Sequence, residues 1–460
     1  MKMERNYYDL SPAQDVPYLQ TKYTIFKRVI NILTSITIDK DVDFDLMKKA
    51  YNLVVERNDC LRIKFLKRQG RLMQYFRTIE EIKPLDKIPF HSFETEGQQR
   101  NFIEKYRKSA IKYKKGIVIE PHFIKTFDNK NMILIKVCHL VLDTYGVSFF
   151  YKDLLAVYEA LKNGTDLPAQ PASYEEIVKK DIEKGRNESL YEKHYDFFSN
   201  LFEDNPEPYY AGVAGPELPS IQKLRAKNRR GCAMSILWNF TQDYRHTINS
   251  DIVNRVYEYC KATQTSPADF FMYTVSLTAS RLNNNAKNIL PLNLCHNRIS
   301  QNEKNCGGTK VQSLATYTKF NYKESFEENL KLFKSNQTKL YMHLGFPDRD
   351  FETLIHSKYR SSLLETYYNM SFSFVPFELP DGIHFDMYSN GNGALAAYVI
   401  LLLDVKTNEI RMAYDVQVNS ITEEHVDRFH QMYLDVINQV LDNPQIQIKD
   451  VSIDIPEVEE

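Results

Sequence analysis

The chain has 460 residues, 43% hydrophobic and 26% charged, with 59 basic against 60 acidic side chains. That is enough apolar residue for a large core and more than one domain, while a net charge of -1 leaves no basic excess to grip a phosphate backbone, so nucleic-acid binding is not expected. Met1–Tyr8 lacks an apolar signal core, the longest apolar run (Ala394–Leu403) is about half of a membrane span, and the six cysteines show no C-x-x-C pairing, so a cytoplasmic location with no membrane association is expected.

Residues 22–80 read as a strand, a helix over Asp45–Arg57 and two further strands. Gln98–Lys114 predicts a charged helix, and Ile117–Val137 paired strands. The last apolar run ends in Cys138-His139, three apolar residues and Asp143, after which Phe149, Phe150, Leu154, Leu155, Val157 and Tyr158 recur at helical period. This places a histidine at a strand exit and a carboxylate just before a helix, so that one can do chemistry while the other fixes the loop.

Gly164, Pro168 and Pro171 mark a loop leaving a first lobe, and helices rich in Lys, Glu and Tyr follow to about Phe202. The proline- and glycine-punctuated stretch Asn205–Pro219 reads as a boundary. The expected division is a first lobe over 1–175, connecting helices and linker over 176–222, and a second lobe over 223–460. In the second lobe a strand near Cys232–Phe240 precedes helices at Ser250–Thr263 and Pro267–Leu282. The apolar strand Asn288–Leu294 runs into Cys295-His296-Asn297-Arg298. Strands at Tyr368–Phe377, Ala394–Asp404 and Ile410–Asp415 and an amphipathic helix over Thr422–Leu441 close the chain. Strands alternating with helices in both halves argue for two α/β sandwiches, with a site in the cleft between them.

His-x-x-x-Asp alone is a weak signal, and its companions supply the specificity. In order, the chain carries Leu10-Ser-Pro-Ala-Gln14, then Arg57-Asn-Asp-Cys-Leu-Arg-Ile-Lys-Phe65, then Cys138-His-Leu-Val-Leu-Asp-Thr144, and it ends in a helix followed by Asn443-Pro-Gln-Ile-Gln-Ile. Taken together these resemble the condensation domains of nonribosomal peptide synthetases, within the chloramphenicol-acetyltransferase-like acyltransferases. The resemblance covers nearly the whole chain and implies a V-shaped pair of lobes with a tunnel through the middle. It implies amide-bond formation between an acyl or aminoacyl thioester, presented on the phosphopantetheine of a carrier protein, and a small amine. No cofactor would be bound, the carrier would act in trans or within a larger synthetase, and a monomer is expected. Three positions depart from the family pattern: Asn58 and Cys138 stand where histidines are usual, and Thr144 where glycine is usual.

The resemblance makes His139 the active residue. Near neutral pH an imidazole can accept or share the proton of the attacking amine, although positioning could carry most of the rate because a thioester is already activated. Asp143 and Arg298 are implied as a structural pair, with Arg62 a competing partner for Asp143. The backbone N–H of Thr144 is implied to face the developing oxyanion, with Gly146 a candidate for the flexibility a glycine at 144 would have given. Cys138, Ser389 and Asn390 are lesser candidates for tunnel lining; residues 389–393 read most simply as a turn. Adjacent strand residues face opposite sides, which argues against a Cys138–His139 dyad, and neither Cys138-His139 nor Cys295-His296 has the spacing of a metal site. Two other readings use the same residues: a free-standing acyltransferase acting on a diffusible alcohol or amine, and a degenerate, non-catalytic recruitment domain.

Overall fold

The computed structural model describes residues 5–216, 232–233, 239–361, 365–393 and 395–453. They form two compact units. The first comprises Met1–Glu188, His296–Gln312 and Leu379–Gly391, and the second Ser189–Cys295, Ser313–Glu378 and Asn392–Glu460.

In the first unit the order is α1 (Pro12–Tyr23), β1 (Asn31–Ile38), α2 (Phe44–Arg57), β2 (Ile63–Arg68), β3 (Arg71–Phe76), β4 (Phe90–Ser92), α3 (Glu96–Arg107), β5 (Ile119–Lys125), β6 (Asn131–Cys138), α4 (Thr144–Asn163) and α5 (Tyr174–Gly185). β6 is buried at every position, and a strand covered on both faces belongs inside a sheet. It lies between β1 and β5, antiparallel to both, with β4 outside β5 and the strand Ile383–Tyr388 outside β1. Leu33, Ile124, Met132 and Leu134 pack with Ile103 of α3. α2 and α4 pack on each other, and the Tyr151 hydroxyl of α4 reaches the carbonyls of Thr34 (3.0 Å) and Ile133 (3.4 Å). α4 is thereby docked on β6, the strand that leads to its own N-terminus, and on β1 beside it.

The expected charged helix over Gln98–Lys114 stops at Arg107. The Asn31 side chain draws the chain away: its Oδ1 accepts from the Ile111 N–H (3.0 Å) and its Nδ2 donates to the Ser109 carbonyl (2.7 Å). Residues 108–112 are therefore not part of a solvated helix face.

The contiguous lobes read from the sequence also differ from the observed partition. Ile383–Tyr388 returns to the first unit because it pairs with β1 along Ile383↔Ile38 to Tyr388↔Leu33. His296–Gln312 returns because Arg298 bonds to Asp143. Residues 217–222 of the expected linker lie outside the described residues.

The second unit holds a mixed sheet in which Asn288–Cys295, Tyr368–Phe377 and Ala397–Asp404 run parallel, followed by antiparallel Glu409–Gln417 and Thr241–Ile248. The helices Ser250–Thr263, Pro267–Leu282 and Glu423–Asp442 pack with one another around Phe270, Phe271, Phe429 and Tyr433. The strand expected at Cys232–Phe240 is described only at Cys232–Ala233, which pairs with Glu365–Thr366, and 234–238 lie outside the described residues. The long strand is instead Thr241–Ile248, buried only at its two end residues. An edge strand with a wet face carries no apolar run, and its pattern is hard to see in a sequence. Among the described residues no helix is long and apolar enough to cross a membrane.

Candidate active site

The site is built on β6 and the turn at its exit. The ladder between β1 and β6 ends at Asn31↔Cys138, and His139 stays on the sheet because its N–H donates to the Ile30 carbonyl (2.8 Å). A turn then forms, with the Cys138 carbonyl accepting from the Val141 N–H (2.9 Å). Leu140, Val141 and Leu142 are buried, which pins the turn from inside. Asp143 caps α4: its Oδ1 accepts from the Gly146 N–H (2.7 Å) and its carbonyl from the Val147 N–H (2.8 Å). The four-residue spacing thus spans one apolar turn between a strand exit and a helix start.

The other oxygen of Asp143 is held by the returning segment. Oδ2 accepts from Nη1 of Arg298 (2.8 Å) and from the Lys310 N–H (2.8 Å). Burial opposes the ionised carboxyl, but the guanidinium and these hydrogen bonds outweigh it and hold Asp143 below the usual carboxylate range. For Arg298 burial opposes the charge and Asp143 restores it, so the net direction is upward. Arg298 also donates through Nη2 to the Gly308 carbonyl (2.8 Å) and lies over the Tyr145 ring (4.5 Å).

Two glycines permit this approach. A Cβ on Gly146 would stand 2.7 Å from the Gly308 carbonyl oxygen, and one on Gly308, where φ is +91°, would stand 2.2 Å from the Tyr174 ring. The Tyr174 hydroxyl accepts from the Thr309 N–H (3.1 Å) and donates to the Thr309 carbonyl (2.8 Å). The Thr309 hydroxyl donates to the His139 carbonyl (2.6 Å).

His139 is half-buried, and its Nδ1 is buried with no hydrogen-bond partner among the described residues. Burial lowers its pKa below the ordinary 6.5, with its own main chain and the charge of Asp143 acting the other way. The ring is therefore neutral at pH 7, with its main chain held on both sides and its Nδ1 unpartnered among the described residues.

The other sequence-derived residues divide clearly. Arg62 does not reach Asp143; its Nη1 donates to the Arg77 carbonyl and its own carbonyl accepts from Nε of Arg77 (3.0 Å), closing the β2–β3 hairpin. Cys138, expected among tunnel-lining residues, is fully buried and its thiol is pushed by burial up to about 12, so it faces the packed interior. Thr144 is the first residue of α4, half-buried and without positive φ. The φ of Gly146 is not positive either, and a Cβ there would meet the Gly308 carbonyl, so a glycine at 146 allows that close approach. Ser389 and Asn390 directly follow the strand Ile383–Tyr388, with the Ser389 carbonyl accepting from Arg107 (3.2 Å) and Asn390 donating to the Val29 (3.4 Å) and Asn31 (3.3 Å) carbonyls. Asn58 is buried and donates to Asp153 of α4 (2.8 Å). Gln14, from the first motif, donates to the Leu140 carbonyl (2.7 Å) and so supports the turn after His139.

Sequence reasoning missed Tyr174, Gly308, Thr309 and Lys310. The Gly307-Gly308 pair nine and ten residues after Arg298 was the available signal, since paired glycines mark a close approach or a positive φ.

A family model for the Condensation domain matches residues 4–459, and the chain belongs to that family. It is similar to surfactin synthase subunit 2 of Bacillus subtilis (19% identity over 454 residues, 98% of this chain) and to bacitracin synthase 1 of Bacillus licheniformis (18% over 457 residues, 98% of this chain). It spans only 12% and 8% of the lengths of those two relatives. Among solved structures, the starter condensation domain of rhizomide synthetase is matched with a TM-score of 0.80 at 13% identity, covering 97% of this chain and 98% of that one. The first condensation domain of the calcium-dependent antibiotic synthetase is matched with a TM-score of 0.79 at 14% identity, covering 98% and 99%. The fold is thus that of a condensation domain.

Removing either member of the buried pair leaves the other charge uncompensated, so Asp143→Asn and Arg298→Ala should each cost about 3–5 kcal/mol in urea unfolding. The double variant should cost less than the sum of the two. Wild-type midpoints for both single variants would show that the pair bears no weight. The glycines give a second comparison. Gly164, with φ of +65° and nothing near its Cβ position, should lose about 1–2 kcal/mol on change to Ala. Gly308→Ala should lose about 1–3 kcal/mol more, because overpacking against Tyr174 is added to the same backbone strain. Equal losses at the two positions would contradict the contact.

Proposed function

We propose that the chain joins an acyl or aminoacyl thioester to an amine, with the thioester presented on the phosphopantetheine of a carrier protein, either in trans or within a larger synthetase. Membership of the condensation family supports the reaction class, and the multidomain synthetases among the relatives support carrier-bound donors. The observation that carries the reading is His139: a neutral, half-buried imidazole at a strand exit whose main chain is fixed from Ile30 on one side and Thr309 on the other.

The amine attacks the thioester carbonyl carbon, the C–S bond breaks, and a thiolate leaves with its electron pair. One proton must leave the amine nitrogen. With Nδ1 buried, the opposite ring nitrogen is the one to accept or hold that proton, and a base so placed is worth about 10²–10⁴-fold. Asp143 takes no part in proton transfer, because both its oxygens are occupied and its pKa is depressed; it holds the loop. Thr144 at the first turn of α4 keeps a main-chain N–H that a developing oxyanion can use. Asn58 and Cys138 are both buried, so two of the three departures from the family pattern lie in packing positions, which supports a catalytic reading over a degenerate one.

The deciding experiment is mass detection of the amide product from an aminoacyl carrier thioester and an amine. Turnover of a diffusible acyl donor with a free alcohol or amine, and none from a carrier, would favour a free-standing acyltransferase instead. His139→Ala should lower turnover by about 10²–10⁴-fold with the melting temperature kept; a variant within about threefold of wild type would refute the base assignment.

The pH dependence has a definite sign. A base with a depressed pKa is active when deprotonated, so kcat/KM expressed per unprotonated amine should show an acid limb centred below pH 6.5. That acid limb should be missing from the residual rate of His139→Ala. A wild-type limb centred above pH 7 would contradict a depressed histidine. Thr144→Gly keeps the backbone donor and should retain turnover of small amines while admitting bulkier ones. Loss of both at an unchanged melting temperature would instead give the hydroxyl a binding role of about 1–3 kcal/mol.

A further inference from the structure

We infer that Lys310 is a positioning residue for this reaction, fixing both ends of the His139–Asp143 loop by way of a buried ammonium locked between two carboxylates. The inference rests on His139 as the reacting group. Lys310 is 3% exposed, and a lysine is rarely buried so fully without partners. Its Nζ is 2.9 Å from each oxygen of Asp181 in α5 and 2.9 Å from Oε1 of Glu303. Glu303 is itself built in: its Oε2 accepts from the N–H groups of Ile299 (3.0 Å) and Ser300 (2.7 Å), directly after Arg298. Burial opposes its charge, but the Ser300 N–H and the Lys310 ammonium pull its carboxyl down to about 2.

The same residue acts at the site through its main chain. The Lys310 N–H donates to Oδ2 of Asp143, and the hydroxyl of the preceding Thr309 donates to the His139 carbonyl. Residues 309 and 310 therefore hold the first and last members of the motif. The side chain of Lys310 sets where those two residues sit relative to α5.

Stability is a poor explanation for this cluster. A buried ion group gains little net free energy after desolvation, and an apolar side chain of similar size packs as well or better. What three charges with fixed geometry provide is register, and placement errors of about 1 Å at a reacting group can cost about 10²-fold in rate.

The test uses the 460-residue chain with an aminoacyl pantetheine thioester and a small amine. Lys310→Met removes the ammonium, and Lys310→Met/Asp181→Asn/Glu303→Gln removes all three charges and so guards against a folding failure of the single variant. In the triple variant kcat should fall at least about tenfold with KM for the thioester within about twofold. The Gly146 and Lys310 amides, which both donate to Asp143, should exchange with deuterium about tenfold faster. Wild-type kcat, a change confined to KM, or a kcat loss with unchanged amide exchange would each overturn the assignment. If the wild-type chain formed no amide from these substrates, the reading of the reaction would fail, and the exchange comparison would still decide whether Lys310 positions the loop.

Discussion

One carboxylate organises the first unit. Asp143 receives an N–H from its own helix, and a guanidinium and a main-chain N–H from the returning segment His296–Gln312. Both its oxygens accept hydrogen bonds, so it cannot turn without breaking a buried one. Everything near it inherits that constraint: α4 starts where Asp143 caps it, and the returning segment is held where Arg298 and Lys310 meet the same carboxylate. The His139 ring is then projected from a loop whose two ends are fixed, and its Nδ1 has no hydrogen-bond partner among the described residues.

The electrostatics divide labour in a way the spacing alone does not reveal. Asp143 and Arg298 are charged and buried, and they compensate each other; His139 is half-buried and neutral. A neutral imidazole beside a carboxylate would ordinarily be drawn towards its protonated form. Here Arg298 and two N–H donors occupy that carboxylate, and burial of the ring dominates. The charge of Asp143 still raises the His139 pKa, but by less than burial lowers it, so the ion pair serves the base by holding the backbone.

Much of this was legible in the sequence where residues act through their side-chain class. The buried strand β6 announced itself as an apolar run, and the helix after Asp143 by its period. Asp143 and His139 were evident from their position between the two, and Arg298 only from the resemblance to condensation domains. The residues that were not legible act differently. Thr309 contributes a hydroxyl to a main-chain carbonyl, Lys310 a main-chain N–H, and Gly308 an absent side chain; none of these changes the hydropathy pattern. The polar edge strand Thr241–Ile248 was missed for a related reason, since six of its eight residues are not buried. The helix over Gln98–Lys114 was overextended because charge density says nothing of Asn31, a residue far away in sequence that captures the chain beyond Arg107.

The support of Leu140 by Gln14 and of His139 by Thr309 has a consequence for the order of events during synthesis. These bonds bridge separations of 126 and 170 residues, so the loop has partners on both sides of it in the chain. As the chain leaves the ribosome, α1, β1 and β6 can assemble and set the strand exit, but the clamp on Asp143 must wait for residues 298–310, about two-thirds of the way along. Until then Asp143 has only its own helix to bond and remains hydrated. The buried charge is installed late, when its counter-charge arrives with it, and the nascent chain never has to carry an unpaired carboxylate into a closed core.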